Sequence, residues 1–446
     1  MTYNETVEYL FNQLPMFERQ GKSGYKSGLD NTLALDEHLG HPHTAYRTIH
    51  VAGTNGKGSC SHTLAAMLQV CGYRVGLYTS PHLVDFRERI RVNGTTIPES
   101  YVVSFVEKHR PFFESLHPSF FELTTAMAFQ YFAEMKVDIA VIEVGLGGRL
   151  DCTNIISPIL TVITNISYDH TQFLGDTLAK IAGEKAGTIK PGTPVVIGES
   201  NDETRPVFEA KAREMNAPII FAEDKENAEV TDAIQLEDGT ADTPDTLLYK
   251  TRSYGAIKGC LTGIYQRKNA NTILVARKEL VKLGYLSDGS DPKTEEACRR
   301  ELAEAFVHVD KLTGIMGRWQ TVKEVPRVVC DTGHNLAGWK YLSRQLADVN
   351  CLHMHIVFGM VDDKDIDGVI RLLPKNATYY FTQADTHRAL PCHAVREKAE
   401  AIGLKGRDYA TVKDAYTDAL RHAAHDDFIF VGGSSYVVAD FLKHCL

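Results

Sequence analysis

The chain has 446 residues, 43% hydrophobic and 24% charged, an ordinary globular composition in a chain too long for one hydrophobic core. Its formal net charge of −9 excludes general nucleic-acid binding, which calls for basic patches, but leaves a small anionic substrate open. The nine cysteines are scattered and never form a CxxC pair, which argues against a disulfide framework or a zinc site and fits free thiols. The N-terminal stretch lacks the basic start and apolar run of a signal peptide, and no segment reaches the roughly 18 apolar residues that span a bilayer. A monomer in the reducing cytoplasm, bound to neither nucleic acid nor membrane, is expected.

In chain order, residues 46–53 (YRTIHVAG) read as a short buried strand ending in glycine, and residues 59–73 show helical apolar spacing. Strand-like runs follow at 74–80, 137–145, 159–166 and 194–198, and such runs separated by helices indicate a parallel sheet covered on both faces. Residues 222–256 turn acidic and turn-rich, a small surface β excursion or a plain solvated loop, and 265–280 returns to helix. After GIMGRWQ (314–320) a second set of strands is predicted at 327–331, 355–360, 378–383 and 428–433. The expected fold class is α/β, with a large N-terminal P-loop-type domain of mainly parallel sheet over residues 1–311. A smaller, doubly wound, Rossmann-like C-terminal domain takes residues 312–446, with a hinge near 308–314.

The segment 50–59 (HVAGTNGKGS) carries the strongest chemistry. A strand delivers a glycine-rich turn and a helix begins at once, so backbone N–H groups and the helix N-terminus can surround a phosphate. Gly53, Gly56 and Gly58 permit close approach, and Thr54 and Asn55 complete the turn. Lys57 supplies charge for the outer phosphates and Ser59 a hydroxyl for magnesium. The string departs from GxxxxGK[ST]: Val51 takes the place of the first glycine, and Gly58 intervenes between Lys57 and Ser59.

Further hard ligands stand at predicted strand ends, where open α/β sheets place their ligands. Glu143 interrupts an apolar strand, and Ser80 and His170 follow other strands of the same sheet. Together they suit a magnesium ion beside ATP phosphates. Singly, each has a plain structural reading, Glu143 as a helix cap and His170 as a hydrogen-bonded core histidine.

The order of motifs is GTNGKGS, TSPHL (79–83), FFExxTA (120–126), EVGLGGRLDxTN (143–154), DH (169–170), LG (174–175) and EKAG (184–187). GRWQ (317–320), DxxHN (331–335), DKD (363–365) and GGSSYVVAD (432–440) follow. Over nearly the whole chain this resembles the folylpolyglutamate synthase/dihydrofolate synthase family of the Mur ligase superfamily. The resemblance implies an ATP- and folate-binding first domain and a ligase second domain, with magnesium as cofactor. ATP, L-glutamate and dihydropteroate or a reduced folate are the implied substrates, joined through an acyl phosphate.

It further implies that Ser80, Glu143 and His170 match magnesium-binding positions, and that Lys185 matches a lysine carrying a carbamate. An unmodified Lys185 contacting phosphate is the alternative. Lys57, Lys185 and His170 are thereby the catalytic candidates. Asn269, with Gln266 beside it, matches an adenine contact, and Arg318, Asp331 and His334 match nucleotide positions from the second domain. The folate side maps to Ser119, Phe120, Phe121 and Glu122 and to Leu150, Asp151 and Cys152. The two phenylalanines equally suit core packing. The stretch 82–94 is expected as a loop over this region, with Arg87, Arg89 and Arg91 suited either to an anionic substrate or, as alternate arginines, to an exposed strand.

Four positions depart from the pattern: Cys152 for alanine, Gly333 for alanine, Asp362 for histidine and Asn31 for arginine. Rival readings are a synthase with only the folylpolyglutamate activity, a Mur-type amino-acid ligase, and a P-loop regulatory ATPase or scaffold without a paired metal site.

Overall fold

A computed structural model describes residues 1–13, 28–236, 246–289, 292–362 and 364–445. Residues 237–245 of the expected β excursion and Asp363 of DKD lie outside them. The described residues form three sheets. The first comprises β1 (Arg47–Ala52), β2 (Val75–Tyr78), β3 (Ile90–Val92), β4 (Thr95–Thr96), β5 (Ile139–Glu143), β6 (Leu160–Ile163), β7 (Val195–Ile197) and β8 (Ile219–Phe221). Their order is β4-β3-β2-β5-β1-β6-β7-β8. Pairing is parallel from β2 to β8, and β3 and β4 add an antiparallel edge.

Alternation along the strands decides what covers each face. Ile49, Val51, Ile139 and Val141 pack with Leu64 and Leu68 of the Lys57–Val70 helix and Ile273 and Leu280 of the Gln266–Lys282 helix. Ala140 and Ile142 point the other way, into Phe105, Leu123 and Phe129 of the helices Glu99–Leu116 and Phe120–Glu134. With both faces covered, β2 and β5 to β8 are almost wholly apolar, which is why the runs were legible, while Thr48 and His50 interrupt β1.

The excursion is a small antiparallel sheet of β9 (Val230–Leu236), β10 (Thr246–Thr251) and β11 (Ala256–Gly259). The third sheet holds β12 (Gln320–Lys323), β13 (Arg327–Asp331), β14 (Met354–Phe358), β15 (Ala377–Thr382), β16 (Lys405–Tyr409) and β17 (Phe428–Gly432). Its order is β12-β13-β17-β14-β15-β16, parallel except for β12. Trp339, Phe358, Tyr379 and Phe430 fill one face, and Val357, Ile429, Val431 and Phe441 the other.

The stretch 82–94 is not the expected loop. Asp85 caps the short turn Phe86–Arg89, accepting from Arg87 N at 2.8 Å, while Glu88 accepts from Asp85 N at 2.7 Å. Ile90 and Val92 are then buried in β3, antiparallel to β2. Alternate arginines also suited an exposed strand, but β3 is buried throughout, Arg91 included. The polar edge strand β16 (KGRDY) was likewise passed over.

Asp169, after β6, joins the first sheet's unit to the third. Its carboxylate accepts from Lys364 Nζ at 2.5 Å and Asn335 Nδ2 at 3.2 Å, and His334 Nε2 lies 3.3 Å away. Asn335 also pairs with Asn55, donating to its Oδ1 at 2.9 Å. Burial would raise the Asp169 carboxyl, yet the His334 contact and the charges of His170, His334 and Lys364 hold it well below the usual carboxylate range. Its contribution is therefore complete above the unfolded value of about 3.9 and fades only as pH falls through the lower folded value. Asp169→Asn should weaken closure by about 3–5 kcal/mol, the usual cost of breaking a buried pair. Small-angle scattering would show a wider particle at neutral pH, whereas the unaltered protein should open only below about pH 4.

Candidate active site

The glycine turn connects β1 to the Lys57–Val70 helix, with Gly53 at φ +142° and Gly56 at φ +83°. A Cβ on Gly53 would stand 1.8 Å from Thr164 Oγ1, and one on Gly56 2.3 Å from Asn269 Oδ1. Thr54 N donates to Asn165 O at 2.9 Å, and Asn55 N to Asn165 Oδ1 at 3.0 Å. The N–H groups of the helix's first turn lack intrahelical acceptors, the ordinary origin of an anion site. Lys57 Nζ lies over the turn, donating to Gly53 O at 3.1 Å and Thr54 O at 3.2 Å.

Gly53, Thr54, Lys57 and Gly58 open onto a cavity of about 300 Å³ between the first and third sheets. Ser80, Glu143, His170 and Lys185 line it as well. Ser59 does not: its hydroxyl is buried in the helix and accepts from Gln266 Nε2 at 3.0 Å. Asn269 sits behind Gly56, donating to Gln266 Oε1 at 2.8 Å.

Glu143 ends β5 at 3% exposure, and its Oε2 has no hydrogen-bond partner among the described residues. Burial pushes its carboxyl up to about 7, against Lys57, Arg318, the Ser80 amide and Arg89, which favour the anion. An open, buried carboxylate oxygen costs free energy unless a cation or proton meets it. It fits the magnesium expected here. Among the described residues no three His, Cys, Asp or Glu side chains gather as a metal cage.

Lys185, in the Leu178–Ala186 helix, is 4% exposed and donates from Nζ to Gly53 O at 2.9 Å. Burial and then Lys57 lower its amine to about 7, with Asp169 and Asp151 pulling the other way. A neutral amine is accordingly present near neutral pH.

At the far end of the cavity stand Ser119, Phe120, Phe121, Leu150, Asp151 and Cys152. Phe121 lies against Gly145, whereas Phe120 is mostly core, stacked on Phe11 at 5.0 Å. Glu122 is not on the wall: it forms a capping box with Ser119, accepting Ser119 N at 2.5 Å, and Asn31 Nδ2 donates to it at 3.4 Å. Burial raises the Asp151 carboxyl, opposed by donors from Thr153, Leu146 and Gly145.

From the third sheet, Arg318 and His334 reach the cavity, with Arg318 Nη2 3.1 Å from the Cβ position of Gly58. Asp331 does not line it. Its oxygens take Tyr265 Oη at 2.6 Å and the amides of Trp319 and Gly333 at 2.7 Å each. Lys364, Arg388, Ser434, Ser435 and Tyr436 also line the cavity, although no role had been assigned to them. GGSS closing a strand and opening a helix was the available signal.

Comparison with known proteins gives the same assignment. The chain matches the Mur ligase middle domain over residues 51–276 and the Mur ligase glutamate ligase domain over residues 317–435. It is 33% identical to dihydrofolate synthase/folylpolyglutamate synthase of Bacillus subtilis, over 95% of this chain and 96% of that one. It is similar to the structure of Mycobacterium tuberculosis folylpolyglutamate synthase complexed with ADP, with a TM-score of 0.83 and 30% identity over 99% and 98% of the two chains. The bifunctional folylpolyglutamate synthase/dihydrofolate synthase from Yersinia pestis, complexed with AMPPNP and a manganese ion, matches with a TM-score of 0.77 and 27% identity over 100% and 98%. With both domain models matched and a full-length relative above 30% identity, the chain belongs to the dihydrofolate synthase/folylpolyglutamate synthase family of the Mur ligase superfamily.

Proposed function

We propose that this protein ligates L-glutamate to dihydropteroate and to folylpoly-γ-glutamate, with ATP, through an acyl phosphate. The observation that carries the reading is the open, buried Glu143 oxygen on the same cavity wall as Lys57 and Lys185, with an apolar end beyond them.

A carboxylate is a poor electrophile, and transfer of the γ-phosphoryl group gives it a leaving group. The turn amides and Lys57 stabilise charge on that group as it moves, and Arg318 faces it from the second domain. The glutamate amine then attacks the acyl carbon and phosphate leaves. Glu143, with Ser80 and His170, would hold a magnesium ion, which would supply charge neutralisation on the phosphates. Phe121, Leu150 and Asp151 hold the flat end of the acceptor. The domains 1–311 and 312–446 close over the cavity and exclude water, which would hydrolyse the acyl phosphate.

Lys185 takes up CO2 as a carbamate: the neutral amine attacks CO2 and releases a proton, leaving an extended carboxylate near the phosphates. Its burial and lowered affinity for protons support this, because only the free amine reacts.

The deciding assay measures ADP formation that requires both glutamate and either dihydropteroate or tetrahydrofolate; phosphate release indifferent to glutamate would favour an ATPase. Lys57→Ala should lose about 100- to 1,000-fold in turnover while keeping its circular dichroism, and near-normal turnover would remove that lysine from the reaction. Glu143→Ala should raise the magnesium concentration giving half-maximal rate, and an unchanged titration would return Glu143 to a structural role. Lys185→Ala should be inactive and partly rescued by a short carboxylic acid in the buffer. Lys185→Arg should stay inactive, since a guanidinium does not take up CO2.

A further inference from the structure

Behind the acceptor end of the cavity, a line of three side chains runs into the middle of the first sheet. Asp151 caps the short turn Cys152–Ile155. Its Oδ1 accepts from Thr153 N at 3.0 Å and Thr153 Oγ1 at 2.5 Å, and its Oδ2 from Leu146 N at 2.8 Å. The Thr153 hydroxyl has a single hydrogen, and Asp151 receives it. Toward His50 Nε2, 2.9 Å away, it therefore offers a lone pair, and His50 carries its proton on Nε2.

His50 is the fourth residue of β1, three before Gly53, and is fully buried. Burial, with Lys190 adding to it, keeps the ring neutral by lowering its affinity for protons to about 3. Its other nitrogen, Nδ1, meets no hydrogen-bond partner among the described residues. Leaving such an atom buried is unfavourable, so packing alone would be better served by leucine. The imidazole makes sense for what its other nitrogen holds.

We propose that His50 and Thr153 are positioning residues for the acceptor substrate, fixing the direction in which Asp151 presents its carboxylate to the cavity. The inference rests on Asp151 as part of the acceptor site. Every hydrogen along the line points toward the carboxylate, so Asp151 is kept as an acceptor. It then suits a heterocycle edge that offers N–H donors and disfavours one that offers only acceptors. Lys185 and Cys152 also face Asp151, but neither belongs to the line.

The test compares KM for dihydropteroate with KM for ATP in six variants. Thr153→Val, nearly isosteric, and His50→Leu should each raise the acceptor KM about tenfold, the scale of one neutral hydrogen bond, with ATP KM within about twofold. Thr153→Ser and His50→Gln, which restore the hydroxyl and the donor, should recover it. The double variant Thr153→Val/His50→Leu should be no worse than Thr153→Val alone, since both act through one contact. His50→Leu should melt no lower than the unaltered protein. An unchanged acceptor KM, or acceptor and ATP KM rising together, would overturn the inference by making the line part of the fold only. Asp151→Asn separates the layers. If it raises the acceptor KM while the other variants do not, the line fails and the acceptor site stands. If it too leaves that KM unchanged in an active ligase, both fail.

Discussion

The turn at residues 53–58 has no room for a Cβ at two of its glycines. Gly53 is pressed against Thr164 of the loop after β6, and Gly56 against Asn269 of the Gln266–Lys282 helix. That closeness sets the rest of the site. Thr164 and Asn165 hold the turn through its own amides and carbonyls, and Lys57 and Lys185 converge on the carbonyl of Gly53. A side chain at either glycine would displace the strand end, the helix or both, and with them the direction of the helix N-terminus.

Charge burial follows from the same arrangement. The C-terminal edge of the first sheet gathers Lys57, Glu143 and Lys185 in a cavity that residues of the third sheet's unit also line. In that setting opposite charges do not simply neutralise one another: Glu143 and Lys185 both end near 7, each held by desolvation close to its neutral form. Groups so balanced change protonation with small changes in their surroundings. Asp169 behaves oppositely. With Lys364, Asn335 and His334 around it the carboxylate stays ionised, and it serves as the fastening between the two units.

The apolar end of the cavity uses the sheet differently. Phe121 on Gly145 and the Leu150–Cys152 segment make a flat wall, and the polar atoms beneath it are tied back by Thr153, Leu146 and His50. Wall and phosphate turn are thus built on neighbouring strands: His50 and Gly53 are three residues apart in and after β1, and Glu143 lies opposite Val51 in β5.

Some of this was determined by the sequence alone. Strands buried on both faces are mostly apolar, so their positions and the α/β class were legible, and Glu143 stood out because a carboxylate is costly inside such a run. The glycine turn was legible because its backbone requirements are local, whereas Lys185 was singled out only through the family resemblance of EKAG. Other features depended on contacts between distant segments. Ser59 was expected at the metal, but Gln266, 207 residues on, occupies its hydroxyl. Glu122 was expected at the substrate, but it caps its own helix; Asp331 was expected at the nucleotide, but Tyr265 and two amides surround it. A polar side chain has one chemistry and several places to satisfy it, and only the packed chain determines which partner comes within 3 Å.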